Sequence, residues 1–277
     1  MILLDGRKLA EKVLGGLKEE IAKRKKLLRL AVVIVGENSV TLKFIEQKKK
    51  AAEFLGVGIH IYPFEESITT NALRKRIGEI VHEAKNTGVI VQLPLPVHIN
   101  AQYILNAIPP EKDVDVLSAR ALGNFYVGRS VVLPPVVGAV KVFFDEYNIE
   151  YRNKYAVVVG VGKLVGKPVA ARLINEGVAL SVVNEYTKDI GEFIRKADII
   201  ISGVGKPKLI TSDMVKDGVI VIDAGVSEAE GKTVGDVDFD SVSVKASYIT
   251  PVPGGVGPLT VAVLFKNLLN LAESIKK

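Results

Sequence analysis

A lysine among apolar neighbours is the first residue in this sequence with chemistry to offer. A helix is read at about residues 40–55. At about 100° per residue, Thr41, Phe44, Ile45, Ala51, Ala52 and Leu55 fall within about 60° of Lys48. Lys49 and Lys50 point away. A lysine so placed either snorkels to a solvated rim or sits in a partly dry pocket. Desolvation in such a pocket lowers its pKa and makes it a usable general base. Gln92 interrupts the apolar run 89–91, just before Leu93-Pro-Leu-Pro96. Its neutral amide either caps the strand exit or bonds a nearby lysine or polar ligand. Asp113 and Asp115 flank Val114 in the next loop, where acids are either simply solvated or bind ligand donors or a metal.

A second group of residues is suited to anions. Gly160-Val-Gly162-Lys-Leu-Val-Gly166 follows an apolar run and opens a helix. Glycines there let the backbone approach a pyrophosphate, and the helix N-terminus adds free N–H groups and partial positive charge. The spacing is G-x-G-x-x-x-G, which departs from G-x-G-x-x-G, and a tight turn would use the same residues. Gly203-Val-Gly205 and Asp223-Ala-Gly225 follow two further strand ends. Three such loops on one lobe point to a shared ligand edge. Finally, Thr250-Pro-Val-Pro-Gly-Gly-Val-Gly-Pro-Leu-Thr260 carries three prolines and three glycines in eleven residues. Such a stiff loop costs little entropy to order around a ligand.

The elements that must position these residues alternate. Leu9, Val13, Leu14, Leu17 and Ile21 recur at helical spacing, followed by the apolar run 30–35 and the lysine helix, with Asn38 or Ser39 as its N-cap. A strand at 58–62, a helix at 71–85 and a buried strand at 88–93 complete a β-α-β-α-β order, which predicts a parallel sheet with helices on its faces. After a helix near 137–147, strands at 155–160, 179–183, 197–202 and 219–223 and a helix at 167–176 form a second α/β unit. A last helix spans 259–274. The expected class is α/β with two lobes enclosing a cleft. The domains are residues 1–118, completed by the C-terminal helix 260–277, and a Rossmann-type lobe over 119–259.

Composition narrows the function. The 277 residues include no cysteine and three histidines, so disulfides, thiolate zinc sites and cysteine nucleophiles are excluded and no metal site is expected. The net charge of +6 suits an anionic small molecule. Basic residues are scattered, the densest run being Lys48-Lys49-Lys50. With aromatics at 6% and no tryptophan, no nucleic-acid partner is expected. Neither a leader pattern nor an apolar run near 18 residues is seen, so no membrane partner and a cytoplasmic location are expected.

The proline-glycine segment 250–260, with Val91-Gln-Leu-Pro-Leu-Pro96, Lys112-Asp-Val-Asp115 and Gly235-Asp-Val-Asp238, resembles the bifunctional methylenetetrahydrofolate dehydrogenase/methenyltetrahydrofolate cyclohydrolase family nearly end to end. The resemblance implies two reactions of one-carbon metabolism that supply purine biosynthesis. Hydride passes from 5,10-methylenetetrahydrofolate to a nicotinamide cofactor, and water then opens the methenyl product to 10-formyltetrahydrofolate. It implies Lys48 as the proton-handling residue, Gln92 as its partner and Asp115 on the pterin's amino side. Phe44, Pro253, Gly254 and Gly255 would lie along the folate. Gly160, Val161, Gly162, Gly166, Glu185, Gly203, Gly205 and Val226 would line the cofactor. A homodimer through the dinucleotide lobe is expected by the same analogy.

Four departures qualify the resemblance. Phe44 stands where the family usually has tyrosine, so ring stacking is kept and a hydroxyl is lost, which predicts weakened cyclohydrolase. Pro134-Pro-Val-Val137 replaces Pro-Cys-Thr-Pro. Val116 replaces a glycine after the acid and suggests a changed loop. At the cofactor, Val161 replaces the family's arginine, and Asn184-Glu-Tyr186 replaces residues that hold a 2′-phosphate. An acid such as Glu185 favours a ribose 2′-hydroxyl and hence NAD. The family habit is NADP, and Lys163 or Lys188 would serve a phosphate. Two rivals stand beside this reading: a shikimate-type two-lobe dehydrogenase, and a dinucleotide-binding sensor without chemistry.

Overall fold

The computed structural model describes residues 1–36, 39–229 and 231–274. The expected cap at Asn38 or Ser39 falls outside them, since Asn38 and the side chain of Ser39 are not described. The chain forms two compact units, Met1–Ala10 with Val136–Thr260 and Glu11–Pro135 with Val261–Lys277. It passes from one unit to the other three times, within helices Gly6–Ala22, Pro135–Glu146 and Val256–Ser274.

The unit containing Val136–Thr260 is built on a parallel sheet. Among the described residues its strand order is Ile2–Leu3, Tyr248–Ile249, Ile220–Asp223, Ile199–Ser202, Tyr155–Val159 and Ala179–Val183. Ile199–Ser202 and Ile220–Asp223 are buried along their whole length. Continuous apolar runs of this kind belong to parallel strands covered on both faces. Val157, Ile194, Ile200, Val221 and Ile249 lie in the core on one side. Ile2–Leu3 adds an edge strand paired with Tyr248–Ile249. A short antiparallel pair, Ser227–Ala229 and Lys232–Val234, stands apart from the sheet.

The other unit has a three-stranded parallel sheet ordered Gly58–Phe64, Arg29–Val35, Gly88–Val91. Helix Ser39–Leu55 lies between the first two strands in sequence and buries Ile45, Ala51, Ala52 and Leu55. Helix Thr70–His82 is capped by the Thr69 side chain, which accepts from Ala72 N. It buries Leu73, Ile77 and Ile80 against Val33, Val89 and Val91. The last helix is apolar nearly all round, with Leu264, Phe265, Leu268 and Leu269 buried, as a core helix requires. No helix among the described residues is long and apolar enough to cross a membrane.

Candidate active site

Lys48 and Gln92 meet where a helix passes a strand end. Strand Gly88–Val91 finishes one residue before Gln92, whose N–H still donates to Val33 O at 2.9 Å. Its side chain then leaves the ladder, and Lys48 Nζ donates to Gln92 Oε1 at 3.0 Å. The amide is oriented from its other end, because Nε2 donates to Leu93 O at 2.9 Å. Lys48 therefore sits in a half-buried position, beside the buried line of Ile45, Ala52 and Leu55. Burial lowers its pKa below the usual lysine range, and the charge of Asp115 opposes the shift. Phe44, one helical turn earlier, is 40% exposed. Its ring centroid is 6.0 Å from Lys48 Nζ, so a flat face is presented beside the amine.

Asp115 comes from the loop after the short helical turn Pro110–Lys112. Burial pushes its carboxyl up to about 6, with Lys48 opposing and Asp113 adding. Asp113 does a different job. It is 2% exposed and accepts from Ser118 N at 2.8 Å and Leu117 N at 3.0 Å, which folds the loop around Asp115. Val116, where a changed loop was expected, keeps a left-handed backbone at φ 56° although it is β-branched and fully buried. This conformation, which a glycine would adopt freely, costs valine about 1–2 kcal/mol. Asn267 of the last helix was not singled out in the sequence. It is buried, and its Nδ2 donates to Val114 O at 2.8 Å and Leu133 O at 2.7 Å, fixing the residue before Asp115. A polar residue among the buried leucines and phenylalanine of that helix was the available signal.

The other unit gathers the glycine loops at one sheet edge. Gly160 N donates to Val183 O at 2.8 Å, which ties this loop to the strand preceding Glu185. Gly166 packs so closely that a Cβ there would lie 2.0 Å from Gly160 O. Gly162 faces open space, its nearest such neighbour being Gly203 O at 3.9 Å. Val161 is exposed, and helix Gly166–Asn175 has no side-chain cap. Close packing at Gly166 and an open approach at Gly162 suit a bound pyrophosphate. Gly205 and the exposed Val226 border each other. Glu185 is exposed on a turn in which Asn184 N donates to Thr187 Oγ1 and Tyr186 N to Asn184 Oδ1.

The proline-glycine loop has a seat that sequence reasoning missed. Arg7 N donates to Gly254 O at 3.1 Å. A Cβ on Gly6 would lie 1.7 Å from Gly255 O, so only glycine fits. Asp5 Oδ1 accepts from Arg7 N and Lys8 N, starting the first helix at this contact. An Asp-Gly pair ahead of a helical pattern was the only signal. Pro253 follows a cis peptide bond, and Gly254 has φ 112°. The lysine cluster belongs to one unit, and the glycine edge and the proline-glycine loop to the other.

Comparison with known proteins decides the family. The model of the tetrahydrofolate dehydrogenase/cyclohydrolase catalytic domain matches residues 4–115, and that of its NAD(P)-binding domain matches residues 134–276. The chain belongs to the tetrahydrofolate dehydrogenase/cyclohydrolase family. Within it, the "Bifunctional protein FolD" of Nautilia profundicola is 43% identical over 100% of this chain and 99% of that one. The solved bifunctional FolD of Campylobacter jejuni is 41% identical, covers 99% of both chains and superposes with a TM-score of 0.96. The Trypanosoma brucei enzyme, solved with NADP cofactor and inhibitor, is 33% identical over 100% of this chain and 98% of that one, with a TM-score of 0.94. The expected two-lobed α/β fold is the fold of these relatives.

Proposed function

We propose that this protein oxidises 5,10-methylenetetrahydrofolate with a nicotinamide dinucleotide and hydrolyses the methenyl product to 10-formyltetrahydrofolate. The observation that carries the reading is the 3.0 Å contact from Lys48 Nζ to Gln92 Oε1, in a half-buried position charge-coupled to Asp115. A lysine with a lowered pKa holds or takes a proton near neutral pH. In the hydrolytic step, water adds to the methenyl carbon and loses a proton to Lys48. The bond from that carbon to N5 then breaks, and N5 takes up a proton. Gln92 holds the amine in place without adding charge. Asp115, as the carboxylate, accepts hydrogen bonds from the pterin amino side, and the Phe44 ring stacks on the folate. Pro253, Gly254 and Gly255 shape the loop that runs along it.

A bound nicotinamide supplies the hydride acceptor. The residues present fit a dinucleotide: Gly160, Gly162 and Gly166 give backbone approach at a helix start. Gly203, Gly205 and Val226 border the same edge. We read the cofactor as NAD, because exposed Glu185 repels a 2′-phosphate and accepts from a 2′-hydroxyl. Against the shikimate-type alternative stand the two family models, which match residues 4–115 and 134–276. A homodimer joined through the dinucleotide unit belongs to the same reading, and sedimentation tests it.

Initial rates with 5,10-methylenetetrahydrofolate, run in parallel with NAD and NADP, test the proposal. Turnover with a preference for NAD is expected, and Glu185→Arg should move that preference toward NADP. An unchanged ratio would place Glu185 away from the ribose. Absence of turnover with both cofactors in folded protein would leave the sensor reading standing.

A further inference from the structure

Asp236 belongs to a motif to which the reading above gives no task. It is fully buried. One oxygen accepts from Ser202 Oγ at 2.6 Å and Val204 N at 2.7 Å, the other from Gly205 N and Lys206 N, both at 2.8 Å. Four donors converge on one carboxylate, and three of them are successive backbone N–H groups. Such a row of N–H groups is a ready anion cradle. Here the protein fills it with its own anion. The space is reserved for that purpose, since a Cβ on Gly225 would lie 2.1 Å from the Asp236 carboxyl carbon.

The turn therefore has no N–H left at residues 204–206 to offer a phosphate, and a buried negative charge stands behind it. Its outward face is the half-exposed Val204 side chain. Gly205 O is itself taken, by Ser227 Oγ at 2.7 Å. With these N–H groups taken and Val204 outermost, residues 203–205 suit a neutral part of a dinucleotide better than its phosphates, while the exposed Lys206 side chain closes the turn.

We propose that Asp236 is a positioning residue of the dinucleotide site, holding residues 203–205, with Val204 outermost, as an apolar rest for a nucleoside portion of the cofactor, while the loop 160–166 carries the pyrophosphate. This rests on the reading of that edge as the cofactor site. Aspartate is required because all four groups facing it are donors; asparagine would turn an NH2 toward some of them.

The test compares wild type, Asp236→Asn and Ser202→Ala for the KM of the dinucleotide, inhibition by inorganic pyrophosphate and cyclohydrolase rate on methenyltetrahydrofolate. Direct dinucleotide binding is measured by calorimetry. Asp236→Asn should raise the dinucleotide KM about tenfold or more, and Ser202→Ala, which loses one of four donors, about two- to threefold. Pyrophosphate inhibition and cyclohydrolase rate should stay within twofold of wild type. Parallel loss of both activities together with the thermal midpoint in both variants would mean a merely structural role and overturn the proposal. A tenfold weaker pyrophosphate inhibition would assign the turn to the phosphates and also overturn it. Unchanged dinucleotide binding in Asp236→Asn, with normal binding by wild type, would sink this inference alone. Absence of dinucleotide binding by wild type would sink the cofactor reading and this inference with it.

Discussion

Lys48 and Gln92 are joined at 3.0 Å across the gap between a helix and the residue that follows a strand, and the amide is pinned at its other end by Leu93 O. Neither partner of this pair carries a compensating charge for the other. The amine thus feels burial directly, with Asp115 as the opposing influence. Gln92→Glu changes that balance. A carboxylate at hydrogen-bond distance raises a lysine pKa by about 1–3 units. The neutral fraction of Lys48 then falls, and cyclohydrolase at pH 7 should drop about tenfold or more. The rate should recover as pH is raised. A pH-rate profile that coincides with wild type would remove Gln92 from its assigned role.

Lys48→Met should cost about 10²- to 10⁴-fold in cyclohydrolase, the usual contribution of a positioned acid or base. The fold should persist by circular dichroism, and the Asp115 carboxyl, which loses the opposing charge of Lys48, should be pushed further up. Retained hydrolysis in the folded variant would contradict the assignment.

Phe44 offers a ring but no hydroxyl beside the amine. Phe44→Tyr should raise cyclohydrolase relative to dehydrogenase by about tenfold, within the range a positioned proton-handling group supplies. Equal ratios of the two rates before and after the exchange would show that the hydroxyl is dispensable here.

Asp115 titrates at about 6 because burial outweighs the attraction of Lys48. As pH falls through that value the carboxylate takes a proton and loses an acceptor for the pterin amino side. The folate KM should therefore rise below about pH 6. In Asp115→Asn it should be raised at neutral pH and flat across the same interval. A variant that keeps the acid limb would place its origin elsewhere.

Asp223 gives a stability prediction of definite sign. It is 2% exposed, and burial with the nearby Asp236 charge pushes it up to about 6 from 3.8. A carboxyl whose folded pKa is raised favours the folded state below the unfolded pKa, and this contribution is lost as pH rises to 6. Its ceiling is about 3 kcal/mol, at about 1.4 kcal/mol per unit. Urea midpoints at pH 4 and pH 7 measure it. The pH dependence should be flatter in Asp223→Asn than in wild type, in the direction of less stability gained on acidification. Parallel curves would contradict the assignment.

Legibility in the sequence followed the physics of each element. Ala179–Val183 is recovered to the residue, between the turn at Gly177 and the polar Asn184-Glu185 that end it. The buried strand read through Leu93 stops at Val91, since Gln92 keeps only its backbone bond to the ladder. Ile2–Leu3 and Tyr248–Ile249 were invisible, because two residues have no periodicity. The lysine was readable from helical spacing, which is local. Asn267 and Gly6 left only faint local signals and Asp236 was seen as part of a motif without a task, because each acts on residues distant in sequence. Val116 sits in a left-handed turn that its residue type alone does not suggest, and burial holds it there.

The pairing of Ile2 with Tyr248 and of Leu3 with Ile249 spans nearly the whole chain. Long loop closures are slow and come late. During synthesis the first strand and the Gly6 contact must wait until residue 255 has left the ribosome, while most of the unit Glu11–Pro135 is already available. The seat of the proline-glycine loop is thus set by the first residues made and completed by nearly the last. A nascent chain stalled at residue 240 should hold its amino terminus accessible to protease, and one released at full length should protect it.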